Sequence, residues 1–276
     1  MNKLPLAQRV QIINMLVEGC SLRATSRMCD VSINTVTKLL VDVGAACLKY
    51  HDEKVVQIKS ERVQCDEIWS FVYSKEKNKP EGKEDIGDVW TFVGIDADTK
   101  LVVSWLVGSR DIPSATVFMK DVASRLKNKV QLTTDGLKAY LDAVNSAFPT
   151  DDEIDFAQLI KIYGPEEGYN MTERKYSPGK CTGAEKRVIY GEPDPFFIST
   201  SYIERQNLTM RMHMRRFTRL TNAFSKKIEN HCHAIALHFV FYNFVKIHKT
   251  LRVPPAMQAG LIKRLMTIED IVKLAS

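Results

Sequence analysis

The feature that most constrains this chain is a run of three apolar stretches, rich in β-branched and aromatic residues, separated by turns. They cover residues 62–74, 89–95 and 101–108 and carry all three tryptophans, Trp69, Trp90 and Trp105. Side chains of this kind at this density fit a pleated, half-buried surface and predict strands. Residues 75–88 between the first two are charged and hold Pro80, Gly82 and Gly87, which reads as a long hairpin loop. Residues 96–100 read as a tight turn. A helix follows over 113–127, with Pro113 at an early position where its missing N–H costs nothing. Residues 130–134 are a short strand, stopped by Asp135-Gly136, and a second helix runs from Gly136 to about Val144.

Strands joined by hairpins are antiparallel, and a strand reached through a helix can lie parallel to its neighbour. The order therefore specifies a mixed α/β sheet. It is the topology of a ribonuclease-H-like fold, although periodicity does not give the strand order. Residues 150–195, with TDDEID, YGPEEGYN and several Gly and Pro, read as a loop-rich insertion. Within it Lys175, Lys180, Lys186 and Arg187 are candidates to line a path for a polyanion.

Ahead of the strands lie three helices. Residues 6–18 carry Val10, Ile13, Leu16 and Val17 as a helical stripe closed by Gly19. Ser21 caps a short helix over 22–28, and Ser32 caps a third with Val36, Leu39, Leu40 and Val43 inward. Short helix, brief turn and longer helix form the helix-turn-helix pattern. Ser32, Asn34, Thr35 and Lys38 then stand where a recognition helix meets base edges and phosphates. A plain three-helix bundle used for dimerisation is the alternative. The organisation expected is a small all-α helix-turn-helix domain over 1–48, a helical tail or linker over 49–61, a sheet domain over 62–250 with an insertion at about 147–198, and a tail over 251–276.

Charge is unevenly spread. Residues 201–265 hold twelve Lys and Arg against Glu204 and Glu229, a surplus of ten, so the rest of the chain carries −4 towards the total of +6. A basic segment beside an acidic remainder points to a polyanion, nucleic acid being the commonest. Six cysteines without C-x-x-C spacing, no signal-like leader and no membrane-length apolar run fit reduced thiols in a cytoplasmic protein. His231, Cys232, His233 and His238 lie in an apolar-rich helix over 225–248, where neighbouring side chains diverge around the axis, so packing rather than zinc is expected.

Residues 201–220, SYIERQNLTMRMHMRRFTRL, read as a basic helix with Ser199, Thr200 and Ser201 as N-cap candidates. Glu204, Asn207 and Arg211 share one face at i, i+3 and i+7. Asp66 sits inside an apolar strand, where a carboxylate is costly unless paired or bound to metal. Asp135 ends another strand, with Gly136 leaving room beside it. Neighbouring strand ends and a flanking helix would bring Asp66, Asp135 and Glu204 together as oxygen ligands for a hard cation such as Mg²⁺, or Mn²⁺ in its place. Glu67 and Asp96 are alternative ligands. Strand alternation puts Asp66 and Glu67 on opposite faces, so only one is expected to reach the site.

The stretches CDEIWSFV, TTDGLKAY and STSYIERQNLTMRMHMRRFTRLTNAFSK resemble the catalytic segments of DDE-type insertion-sequence transposases, above all the insertion sequence one family. The resemblance runs from about residue 62 to the C-terminus. It implies Asp66, Asp135 and Glu204 as catalytic, metal-binding residues, a phosphate contact at Arg211, and a DNA contact at Asn207, which matches the family's asparagine. Arg215 and Arg216 would grip the DNA backbone as well. It also implies double-stranded DNA partners, namely terminal repeats and target, no membrane, and at least a homodimer on DNA. The zinc module of some relatives is not expected here. A nuclease without joining activity and a catalytically silent DNA-binding regulator are the rival readings.

Overall fold

The structure, a computed structural model, describes residues 3–83, 85–148, 154–164, 181–218 and 221–275. Six strands form one sheet: β1 (Arg62–Val72), β2 (Gly87–Asp96), β3 (Val102–Gly108), β4 (Val130–Thr134), β5 (Ile154–Tyr163) and β6 (Cys181–Tyr190). Their spatial order is β3-β2-β1-β4-β5-β6. β1, β2 and β3 are antiparallel, whereas β4 lies parallel to both β1 and β5, and β6 runs antiparallel to β5. The mixed sheet is thus as the sequence specifies. The loop-rich reading of residues 150–195 needs correction, because β5 and β6 complete the sheet from inside that stretch. Lys175, Lys180 and the TDDE segment lie outside the described residues. Lys186 and Arg187 are exposed on β6.

Helices cover both faces. α4 (Ile112–Arg125) and α5 (Ala139–Ala147) pack on one face, where Phe118, Val122 and Tyr140 meet Cys65, Phe92 and Phe156. Asp111 caps α4 by accepting from the Ser114 backbone N–H at 2.9 Å. The other face carries α6 (Ser201–His213) and α7 (Ile228–Phe244). Residues 234–244 of α7 are all buried, as a helix apolar on every side requires. Asn243 anchors α7 to the sheet: its amide accepts from Val102 N–H at 2.9 Å and donates to Val102 O at 2.8 Å.

The N-terminal helices α1 (Leu6–Val17), α2 (Leu22–Met28) and α3 (Ile33–Lys54) close over α7. Ser21 and Ser32 cap α2 and α3 as expected, and the chain bends by 116° between those two helices. Gly44 lets α3 approach α7, since a Cβ there would lie 2.5 Å from the His233 carbonyl oxygen. Residues 49–61 begin as a helical tail and are docked on the sheet domain. α3 continues to Lys54, Arg125 donates to Asp52 at 2.6 Å and to Val55 O at 3.0 Å, and Ile58 pairs with the end of α4. Two short helices, α8 (Pro255–Gln258) and α9 (Ile268–Leu274), finish the chain against the same core. Among the described residues no single helix is long and apolar enough to cross a membrane.

Candidate active site

The register places the acids. β1 and β4 pair from Arg62↔Gln131 to Cys65↔Thr134, and β4 stops there. Asp66 is therefore the first β1 residue past the paired region, and Asp135 the first residue past β4. Gln158 of β5 fixes the loop holding Asp135, donating to Asp135 O at 2.9 Å and to Leu137 O at 3.2 Å. Asp135 Oδ1 accepts from the Leu137 N–H at 3.0 Å, which sets its carboxylate. Gly136 lines the same cavity as Asp135, and a Cβ there would also press on the Ile160 side chain at 3.3 Å.

α6 brings the third acid. Ser199 Oγ accepts from the Ser201 backbone N–H at 3.2 Å at the start of this helix, while Thr200 makes no cap bond. Gln64 of β1 satisfies the next two first-turn donors, its Oε1 accepting from Tyr202 and Ile203 N–H at 2.9 and 3.2 Å. Thr200 Oγ1 instead donates to the Glu204 carboxylate. The helix ends at His213, short of the expected residue 220, and Arg219 and Leu220 lie outside the described residues. Ile203, Gln206, Asn207 and Met210 face inward at helical spacing, leaving Glu204 at the edge.

Asp66, Asp135 and Glu204 line one cavity of about 690 Å³, together with Arg110, Lys138 and Lys161. Carboxylate oxygens of Asp66, Glu67 and Asp135 lie within 4.8 Å of one another. Glu204 faces the same cavity outside that group, paired with Lys161 Nζ at 2.6 Å. Burial, and then the charges of Glu67 and Asp135, push the Asp66 carboxyl up to about 7. Burial likewise raises Asp135 and Glu67. The cluster thus holds more negative charge than its neighbours balance, and its donors are all oxygen, which is the donor set of a hard divalent cation.

The structure corrects several expectations here. Glu67 reaches the acids although it lies on the opposite face of β1: β2 still pairs with β1 there, at Phe92, but on the other edge β4 has ended. Asp96, the other alternative ligand, is the turn residue that residues 96–100 predict, accepting from Asp98 and Thr99 N–H at 2.7 and 3.0 Å. Asn207 is buried and donates to Asp66 Oδ2 at 2.8 Å, so it orients a carboxylate and does not face DNA. Arg216 is turned inward, donating to Ser225 Oγ and Asn230 O, both at 2.9 Å, and burial lowers its pKa to about 10. Arg215 is exposed and Arg211 half-buried. Ser32, Asn34 and Lys38 are exposed on the first turns of α3, with Thr35 half-buried.

Arg110 and Lys161 escaped the sequence reading. Arg110 Nε donates to Glu67 Oε1 at 2.7 Å, and Nη2 lies 3.9 Å from Asp135 Oδ2. Both cations stand beside acids dozens of residues away in the chain, which no local pattern reveals.

No protein-family model and no curated protein matches the sequence. Among solved structures the chain is similar to the piggyBac transposase synaptic complex with hairpin DNA, at 10% identity and a TM-score of 0.42, covering 98% of this chain and 69% of that one. It is also similar to the Mos1 strand transfer complex (13% identity, TM-score 0.24, 56% of this chain and 59% of that one). The Mos1 mariner paired end complex with Mn gives 11% identity, a TM-score of 0.24 and the same coverage. These structural neighbours are transposases. At such TM-scores the functional reading stands on the cavity and its side chains.

Proposed function

We propose that this chain is a DDE-type DNA transposase of the insertion sequence one kind, which cuts DNA at the ends of its element and joins the freed 3′-hydroxyls to target DNA. The observation that carries the reading is the single cavity lined by Asp66 of β1, Asp135 after β4 and Glu204 of α6, three acids from distant parts of the chain. Asp66, Asp135 and Glu204 are the residues to hold divalent ions, Mg²⁺ or Mn²⁺. When bound, such ions supply charge stabilisation for both the attacking and the leaving oxygen of a phosphodiester. The protein's own part is positioning. Asn207 aims Asp66, the Leu137 N–H aims Asp135, and Thr200 and Lys161 hold Glu204 at the cavity wall.

The 116° bend between α2 and α3 suits a helix-turn-helix, with Ser32, Asn34, Thr35 and Lys38 presented to terminal repeats. Arg211 and Arg215 would meet the backbone of the DNA, giving salt-sensitive binding. Two ends must be held together, so the working form is at least a homodimer, acting on the nucleoid in the cytoplasm.

The test uses mapped element ends in Mg²⁺ or Mn²⁺. Asp66→Asn, Asp135→Asn and Glu204→Gln should each lower strand cleavage by about two to three orders of magnitude or more, with end binding kept. Near wild-type cleavage by any of them removes that residue from the site. Pre-cut ends that never insert into a plasmid would leave a nuclease.

A further inference from the structure

We propose that Arg110 grips the DNA backbone at the acid cavity, and that Glu67 is the strut that aims it and not a ligand for a divalent ion. This rests on the strand-cleaving reading of the cavity. Arg110 follows β3, and its guanidinium is held from two sides. Nε and Nη2 both lie 2.7 Å from Glu67 Oε1, and the guanidinium carbon sits 4.8 Å from the centre of the Trp90 ring. The other Glu67 oxygen accepts from Tyr140 Oη at 3.3 Å. The Glu67 side chain is 1% exposed, while that of Arg110 is 42% exposed and lines the cavity.

Those contacts divide the roles. Both Glu67 oxygens are committed to protein donors within a packed core, beneath a fully buried Tyr140. Glu67 Oε1 already accepts two bonds from Arg110, so an ion there would displace that partner, and separating a buried carboxylate from its partner is strongly unfavourable; an ion on Oε2 would have to share that oxygen with the buried Tyr140 hydroxyl. Arg110 has donors to spare. Its Nη1 makes no hydrogen bond among the described residues, and its Nη2 reaches only to 3.9 Å from Asp135. A planar guanidinium with a free edge matches two oxygens of one phosphate. Stacking on Trp90 and the bond to Glu67 orient that edge beforehand, so little side-chain freedom is lost when a phosphate arrives. The fork therefore stands at the rim of the acids, where the phosphodiester to be cut must approach.

The experiment measures binding of an element end in Ca²⁺, with the cleaved phosphodiester either natural or replaced by an uncharged methylphosphonate. Arg110→Ala and the methylphosphonate should each weaken binding about tenfold or more, and together no more than either alone. Losses that multiply would overturn the contact. In parallel, Mn²⁺ binding is titrated by electron paramagnetic resonance on folded variants. Glu67→Gln should keep Mn²⁺ affinity within about threefold while blunting the methylphosphonate effect, and Asp66→Asn should lose the ion. A Glu67→Gln loss equal to that of Asp66→Asn would make Glu67 a ligand and end the strut assignment. Wild-type protein with neither Asp66-dependent Mn²⁺ binding nor cleavage would instead sink the reading of the cavity itself.

Discussion

The acid cavity and helix α7 both gather side chains able to bind metals, and the fold treats them in opposite ways. Asp66, Asp135 and Glu204 are spread over most of the chain, yet they face one space. His231, His233 and His238 lie within eight residues of one another and do not converge. His231 is clamped between two hydroxyls, Ser70 Oγ at 3.2 Å and Ser225 Oγ at 2.9 Å. His238 is buried with neither ring nitrogen bonded. Burial, with Arg216 beside it, lowers His231 to about 3, while burial followed by His213 and Lys246 does the same for His238. Nearness in sequence is thus a poor guide to a metal site. Strand ends in register collect distant residues, whereas a helix turns adjacent ones apart.

The contrast is easiest to break at the packing of α7. If its histidine-bearing segment serves the core, crowding it should cost stability and leave the chemistry of the cavity alone. Gly44→Ala puts a methyl group 2.5 Å from the His233 carbonyl oxygen, and backbone on both sides leaves little room to yield. We expect a loss of about 3 kcal/mol, measured by urea unfolding. A neutral result would mean that α3 and α7 are not in such close contact.

Divalent ions give the next largest effect. At a hundred times its dissociation constant an ion bound only by the folded state adds about 2.7 kcal/mol. Thermal unfolding in Mn²⁺ should show that gain for the wild-type protein and for His238→Leu, and no gain for Asp66→Asn. Stabilisation lost in His238→Leu but kept in Asp66→Asn would exchange the roles of the two regions.

What the sequence discloses follows the same division. β1 to β4 were legible because their β-branched and aromatic runs are bounded by turns. β5 was hidden because its apolar residues are interrupted by Gln158 and Lys161, both of which the site uses. β6 was hidden because most of it is exposed, so it carries no apolar alternation. Asp66 is legible as a charge inside an apolar strand, Asp135 as the acid that stops a strand before Gly136, and Glu204 as the one acid of a basic helix, on a face with Asn207 and Arg211. Strand alternation puts Glu67 on the face opposite Asp66, and its approach to the acids runs past the end of β4, where one edge of β1 is open, which no local pattern shows. Arg110 reads as an ordinary loop residue until Glu67 and Trp90 are folded against it. Arg216 looked like one more member of a basic face, and only its bonds to Ser225 and Asn230 turn it inward.

The smallest effect tests the histidines directly. His238 keeps two polar atoms buried without partners, and replacing such a group by an apolar one of similar size removes a desolvation cost. His238→Leu should therefore be neutral or stabilising by about 1 kcal/mol at pH 7.5, with strand cleavage unchanged. Its sign should grow in acid. An unfolded chain takes up a proton at histidine near pH 6.5, while folded His238 does so only at about 3. The unfolded form binds more protons throughout that window, so stability falls as the pH drops, by up to about 1.4 kcal/mol per unit for each such histidine. His231 contributes in the same direction. The variant loses the His238 share alone, while His231, His51, His213 and His248, all lowered by burial, contribute as before, so its stability between pH 6.5 and 5 should decline less steeply than that of the wild type. Parallel slopes would mean that His238 is protonated in the folded protein, and a charge buried on α7 would need the partner that its surroundings lack.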